Sequence, residues 1–147
     1  MIFIQKEKFS IHESIQNIKT KSNDIGALVT FVGYVRDFND ESRKSLDHLY
    51  IEYYESMTKK AIEEIDKEAH RRWELISTNI IHRVGIIPLN DPIVLIAVAS
   101  KHRDNAFEAC RFIIDYLKTE APLWKKEISE NKSSWVEQKE SDLVKVK

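Results

Sequence analysis

The chain has 147 residues, 42% of them apolar and 32% charged, with a formal net charge of -1 and a pI of about 6.5. That is the make-up of one globular domain large enough to bury a core, without the positive surplus of a general nucleic-acid binder. The single cysteine, Cys110, excludes an internal disulfide and a Cys-rich zinc site. No apolar run approaches the roughly 20 residues of a membrane span. No secretory signal opens the sequence, so the cytoplasm is the expected compartment.

Met1 to Ile4 is a short strand candidate. Ser10 with Glu13 three residues on predicts a capping box, followed by a helix with Ile11, Ile15 and Ile18 on one face. Gly26 to Arg36 is apolar on both alternating faces, which predicts a central strand covered on two sides. Gly33 inside it points to a bulge or a close backbone approach. Asp37 to Asp47 is polar and reads as an exposed loop, and His48 to Glu55 is strand-like and rich in tyrosine. Ser56 is placed to cap a helix over about Met57 to Trp73, with an apolar stripe of Met57, Ala61, Ile65, Ala69 and Trp73. The pairs Glu63–Lys67 and Glu68–Arg72 belong to its wet side.

Leu75 to Val84 is a further strand, Gly85 to Pro92 carries turn chemistry, and Ile93 to Ser100 is a buried strand. A helix is expected from about Asp104 or Asn105 to Lys118, with Phe107, Cys110, Ile113, Ile114 and Leu117 inward and Cys110 a core thiol. Pro122 ends that pattern and pushes Ala121 toward extended geometry, so Lys118 lies in a last helical turn and Lys125 just past the break. The tail after Glu127 is polar up to Trp135, a ring expected to dock on the body or on another subunit.

Basic residues gather where elements end: Arg36, His102 with Arg103, and Lys118 with Lys125. Together they predict one pocket for an anionic small molecule such as a phosphate ester. Each cluster alone fits an ordinary solvated turn equally well. There is no Gly-rich phosphate loop, metal-spaced His/Cys set or Gly-x-Ser-x-Gly elbow. Two other classes stay open on residues alone: a non-catalytic anion-binding or regulatory module, and an RNA-binding domain using Tyr50, Tyr53 and Tyr54, which the near-neutral charge opposes.

Five blocks carry a family resemblance: Gly26-Ala27 through Thr30 to Arg36, His82-Arg83-Val84-Gly85, Ser100 to Arg103, Lys118-Thr119-Glu120-Ala121-Pro122-Leu123-Trp124-Lys125-Lys126-Glu127, and Trp135-Val136. In this order, over nearly the whole chain, they resemble the large, catalytic subunit of molybdopterin synthase. The resemblance implies an α+β fold of the α/β-hammerhead type with an additional antiparallel sheet, in a single domain over residues 1–147. It implies a homodimer, each copy binding a small ubiquitin-like subunit whose thiocarboxylated Gly-Gly terminus supplies sulfur to cyclic pyranopterin monophosphate. No cofactor of its own is implied. By position, Lys118 matches the principal catalytic lysine and Lys125 its companion, with Arg36, His102 and Arg103 as substrate-anion binders. Phe31 and Ile114 match pocket wall, with Ile114 where the family often has Met. Lys139 stands where Arg is expected to reach in from the neighbouring subunit, and lysine lacks the bidentate fork. The tail from about 128 to 147 is expected to dock on that neighbour.

Overall fold

Ile93 to Ala99 can be apolar at every position only if both faces of the strand are covered, and this sets the layering. The computed structural model describes residues 1–36, 48–129 and 132–136. In chain order the elements are β1 (Ile2–Gln5), α1 (Ile11–Lys19), β2 (Ala27–Tyr34), β3 (His48–Tyr53), α2 (Glu55–Arg72), β4 (Ser77–Arg83), β5 (Gly85–Pro88), β6 (Pro92–Ser100), α3 (Arg103–Thr119), β7 (Leu123–Ser129) and β8 (Lys132–Trp135). The first sheet has the order β1-β4-β6-β2, parallel between β1 and β4 and antiparallel elsewhere. On one face of β6, Val94, Ile96 and Val98 pack with Ile62 and Ala69 of α2 and Ala106, Ala109, Cys110 and Ile113 of α3. On the other, Ala97 and Ala99 meet Ile18 of α1. The second sheet, β5-β3-β7-β8, is antiparallel throughout, as the additional sheet was expected to be.

The two sheets meet where β4 runs into β5 through Val84. Gly85 has φ 77°, a left-handed conformation that costs glycine little and a β-branched residue much. Beside this corner Arg83 is buried. Its guanidinium donates to Asp91 Oδ2 (3.1 Å), to the Pro92 carbonyl (3.3 Å) and, from Nε and Nη2, to the Lys6 carbonyl (3.3 and 3.2 Å). Leu49, Ile51, Val84 and Ile87 close a second core with Val35 and Ile93.

Several expectations shift. β2 is an edge strand rather than a central one: β6 pairs with it on one side, while its two faces pack on α1 and α3. The chain register slips between Gly33 and Tyr34, and a Cβ on Gly33 would lie 2.9 Å from Val94 Cγ1, so both readings of Gly33 hold. Helix α2 begins at Glu55 with Tyr54 at its cap and no side-chain cap bond, so Ser56 is inside it. Its buried stripe is Thr58, Ile62, Ile65 and Ala69, while Met57 is 60% exposed. Trp73 follows the helix as its C-cap. On α3 the inward face lacks Phe107, which is 61% exposed. The turn region from Gly85 includes β5, Lys125 lies on β7, and the polar tail after Glu127 holds the end of β7 and β8. β8 therefore docks on its own chain, and Trp135 stays 53% exposed with its ring 5.4 Å from Lys126 Nζ. The loop 37–47, Lys139 and the tail from 137 lie outside the described residues.

Removing Arg83 leaves Asp91 without its buried partner. Arg83→Ala is expected to lower unfolding free energy by about 3–5 kcal/mol, measured by urea denaturation; a loss within about 0.5 kcal/mol, ordinary for surface sites, would refute the clamp.

Candidate active site

Helix α3 leaves β6 at Ser100 and returns along the sheet, so its two ends lie at opposite ends of the molecule. The Ser100 hydroxyl donates to the His102 carbonyl and tightens the turn; His102 is the N-cap and Arg103 the first helical residue, not a residue before it. Lys118 is in the last turn, with Glu120 as C-cap. Fifteen residues of helix rise separate Arg103 from Lys118, about 22 Å at 1.5 Å per residue. One chain therefore does not bring His102 and Arg103 to Lys118. Arg36, just past β2, lies toward the Lys118 end, because Tyr34 pairs with Pro92 at the start of β6 while Ala27 pairs with Ser100 at its end.

Lys118 lines a cavity of about 400 Å³ between β2 and α3, together with Val29, Thr30, Phe31, Phe107, Cys110, Arg111, Ile114 and Asp115. Phe31 and Ile114 are thus pocket wall beside Lys118. Asp115 is buried and takes Arg111 Nε at 3.1 Å, one turn away on the same helix. The Cys110 thiol is in this wall too. Burial pushes its pKa up to about 11, against a weaker opposing backbone hydrogen bond with Phe31. It is therefore a protonated thiol at neutral pH, a poor nucleophile.

Lys125 lines a neighbouring cleft of about 390 Å³ with Thr119 to Trp124, Trp135 and Val136. The two lysines flank the Thr119–Pro122 turn, and no residue lines both spaces. The turn is fixed from α2: Thr58, fully buried, donates from Oγ1 to the Pro122 carbonyl at 2.8 Å. Lys125 stands opposite Ile51 in β7, and residues paired in register share a face, so it lies on the side of the buried Ile51. There its charge acts on His82, buried on β4. Burial, and then the Lys125 charge, hold the His82 pKa down at about 4, against the pull of the Arg83 carbonyl. Neither Thr58 nor His82 was singled out by spacing. His82 entered the sequence reading only as part of the block His82-Arg83-Val84-Gly85. Among the described residues no group of His, Cys, Asp and Glu side chains could hold a metal ion.

Fold and site define a two-sheet α+β protein that sets a lysine on a cavity of mixed polar and apolar lining and a second lysine across the Thr119–Pro122 turn. The chain matches the family described as MoaE protein over residues 4–120. It is 43% identical over 141 residues to the molybdopterin synthase catalytic subunit of Pseudomonas aeruginosa, covering 96% of this chain and 93% of that one. The molybdopterin biosynthesis MoaE protein from Burkholderia ambifaria has the same fold with a TM-score of 0.82 at 39% identity, covering 98% of this chain and 95% of that one. Molybdopterin synthase from Staphylococcus aureus superposes with a TM-score of 0.82 at 33% identity, covering 92% and 96%. The chain belongs to the MoaE family.

Two outcomes follow for solution experiments. The folded pKa of His82, about 4, lies below its ordinary 6.5, so between these values the unfolded chain binds the proton more readily. The resulting stability is complete above about pH 6.5 and is lost as pH falls toward 4, by at most about 1.4 kcal/mol per pH unit. Melting temperature should fall over that window, and the His82→Gln slope should be shallower. Separately, native Cys110 should resist iodoacetamide at pH 7.5 and react once the chain is unfolded in urea; rapid labelling of the native protein would contradict a buried, protonated thiol.

Proposed function

We propose that this chain is the catalytic subunit of a cytoplasmic molybdopterin synthase. It transfers sulfur from the thiocarboxylated C-terminus of a small ubiquitin-like subunit to cyclic pyranopterin monophosphate, forming the dithiolene of molybdopterin. The observation that carries the reading is Lys118 at the rim of the cavity walled by Phe31 and Ile114. Its volume lies within the range of small-ligand sites, about 300–1,000 Å³, and its lining joins apolar Phe31 and Ile114 to charged Lys118, Arg111 and Asp115. A thiocarboxylate is an anion, and its transfer develops negative charge on the atoms it leaves and attacks. Ammonium groups held nearby stabilise that charge more than they stabilise the ground state. Lys118 is assigned this role, and Lys125 assists from across the turn. The sulfur arrives on the partner, so the inert Cys110 thiol is no obstacle.

The two ends of α3 also bear on assembly. His102 and Arg103 are too far from Lys118 of the same chain to hold one substrate with it. In a homodimer, a second copy supplies them, and Lys139 with its tail belongs to the same shared surface. Arg36 binds substrate anion from the Lys118 end.

Lys118→Ala should lower turnover by about 10²–10³-fold, the scale for loss of one preorganised charge partner, in a reconstitution with thiocarboxylated small subunit and cyclic substrate, read as dithiolene product. Unchanged turnover would refute the assignment. Mixing Lys118→Ala and Arg103→Ala protomers should restore activity toward a quarter to a half of wild type, since some mixed dimers carry one intact composite site. Absence of any recovery, with dimers demonstrably mixed, would place both residues in the same chain's site.

A further inference from the structure

The cavity at Lys118 is longer than one catalytic amine needs. Its α3 wall is Phe107, Cys110, Arg111, Ile114, Asp115 and Lys118, alternately three and one residues apart, so it forms a single stripe along the helix. From Phe107 to Lys118 the stripe runs about 16 Å at roughly 1.5 Å per residue. An extended peptide covers about 3.3 Å per residue, so the stripe matches roughly five residues of one. Lys125 and Arg36 lie beyond the Lys118 end. A peptide that ends at Lys118 and leaves that end open to a second substrate must lie back along α3 toward Phe107. Arg111 stands on this line about 10 Å before Lys118, level with a point about three extended residues from the peptide's end. Its guanidinium is held in an unusual way. Nε lies 3.2 and 3.1 Å from the two oxygens of buried Asp115, and among the described residues neither terminal nitrogen meets an acceptor. The side chain is 57% exposed, so those N–H groups are open to a ligand. Asp115 cancels the charge of Arg111, and the pair therefore does not compete with Lys118 for an anion. What it offers is a planar set of donors, fixed in advance, which suits neutral acceptors such as backbone carbonyls. Phe107, exposed at the far end of the stripe, offers an apolar surface to the chain where it enters.

We propose that Arg111 is a specificity-determining residue for the small subunit, its two terminal nitrogens donating to backbone carbonyls of the extended tail about three residues before the thiocarboxylate, with Phe107 packing on the tail at its entry. Reading carbonyls rather than side chains selects for an extended, unbranched approach and leaves the sulfur-bearing end to Lys118. The inference rests on the reading of Lys118 as the amine that meets the thiocarboxylate.

The decisive variant is Arg111→Lys. It keeps a cation for buried Asp115 but commits its one nitrogen there, so the ion pair stays and the free donors go. In a reconstitution with thiocarboxylated small subunit and cyclic pyranopterin monophosphate, Arg111→Lys should raise KM for the small subunit by about tenfold or more, the scale of hydrogen bonds from a charged donor. Its kcat and its KM for the cyclic substrate should stay near wild type. Calorimetric titration with the small subunit in its plain carboxylate form should show the same loss of affinity without any turnover, and Phe107→Ala should weaken binding in the same assay. Wild-type affinity in Arg111→Lys overturns the proposal. So does a fall in kcat at unchanged KM, which would put Arg111 in the chemistry instead. If Lys118→Ala is inactive while Arg111→Lys matches wild type throughout, the sulfur-transfer reading stands and only this inference falls. If the wild-type chain binds no small subunit, the two fall together.

Discussion

The buried Arg83 guanidinium is the constraint from which the site end of the molecule is built. Taking a charged group out of water is expensive, and the cost is offset only where its donors are matched. Here Asp91 and the carbonyls of Lys6 and Pro92 match them, and they come from the chain just after β1 and from the start of β6. One side chain thus fixes three strands at the point where the chain leaves the first sheet for the second. The Asp91 carbonyl also accepts from the Val35 amide, so the end of β2 is drawn to the same corner. With that corner set, the left-handed turn at Gly85 aims β5, β5 registers β3, and β3 registers β7 with Lys125 on it.

The two lysines are placed by different means. Lys118 is carried by the rigid end of a helix whose inner face is packed from Ala106 to Leu117. Lys125 is carried by a strand whose position depends on hydrogen bonds to β3 and β8. An amine on a helix and an amine on a sheet do not drift together, so their separation is set by packing between two cores rather than by the local chain. The clefts on either side of the turn are the geometric expression of that arrangement.

Much of the fold was legible because burial on both faces leaves an unmistakable run of apolar residues. Ile93 to Ala99 was recognisable as a covered strand, and the Ser10 cap is present, with the Glu13 amide donating to Ser10 Oγ at 3.2 Å. The same signal misplaced β2, because periodicity reports which faces are covered and says nothing of which edges are paired. Leu123 to Ser129, with Lys125, Lys126 and Glu127 at its centre, did not read as a strand, because the strand it pairs with on one side, β3, is distant in sequence. Met57 and Thr58 exchanged roles for a tertiary reason: a threonine hydroxyl facing inward has the Pro122 carbonyl to satisfy, which no helical period encodes. The basic clusters were visible as residues at element ends, but a sequence does not say which end. The return of α3 along the sheet carried His102 and Arg103 away from Lys118.

The bond from Thr58 to the Pro122 carbonyl gives α2 a stake in chemistry it never touches. Most of that helix's outward surface is free to vary, since its charged residues, such as Glu68 with Arg71 and Arg72, pair among themselves. Thr58 is not free in the same way. Valine has its shape but no hydroxyl, so the carbonyl between the two amines would lose its tether while both cores stayed packed. A lesion there would cost folding about 1 kcal/mol, and its larger mark would fall on the spacing of two amines that the helix itself never touches.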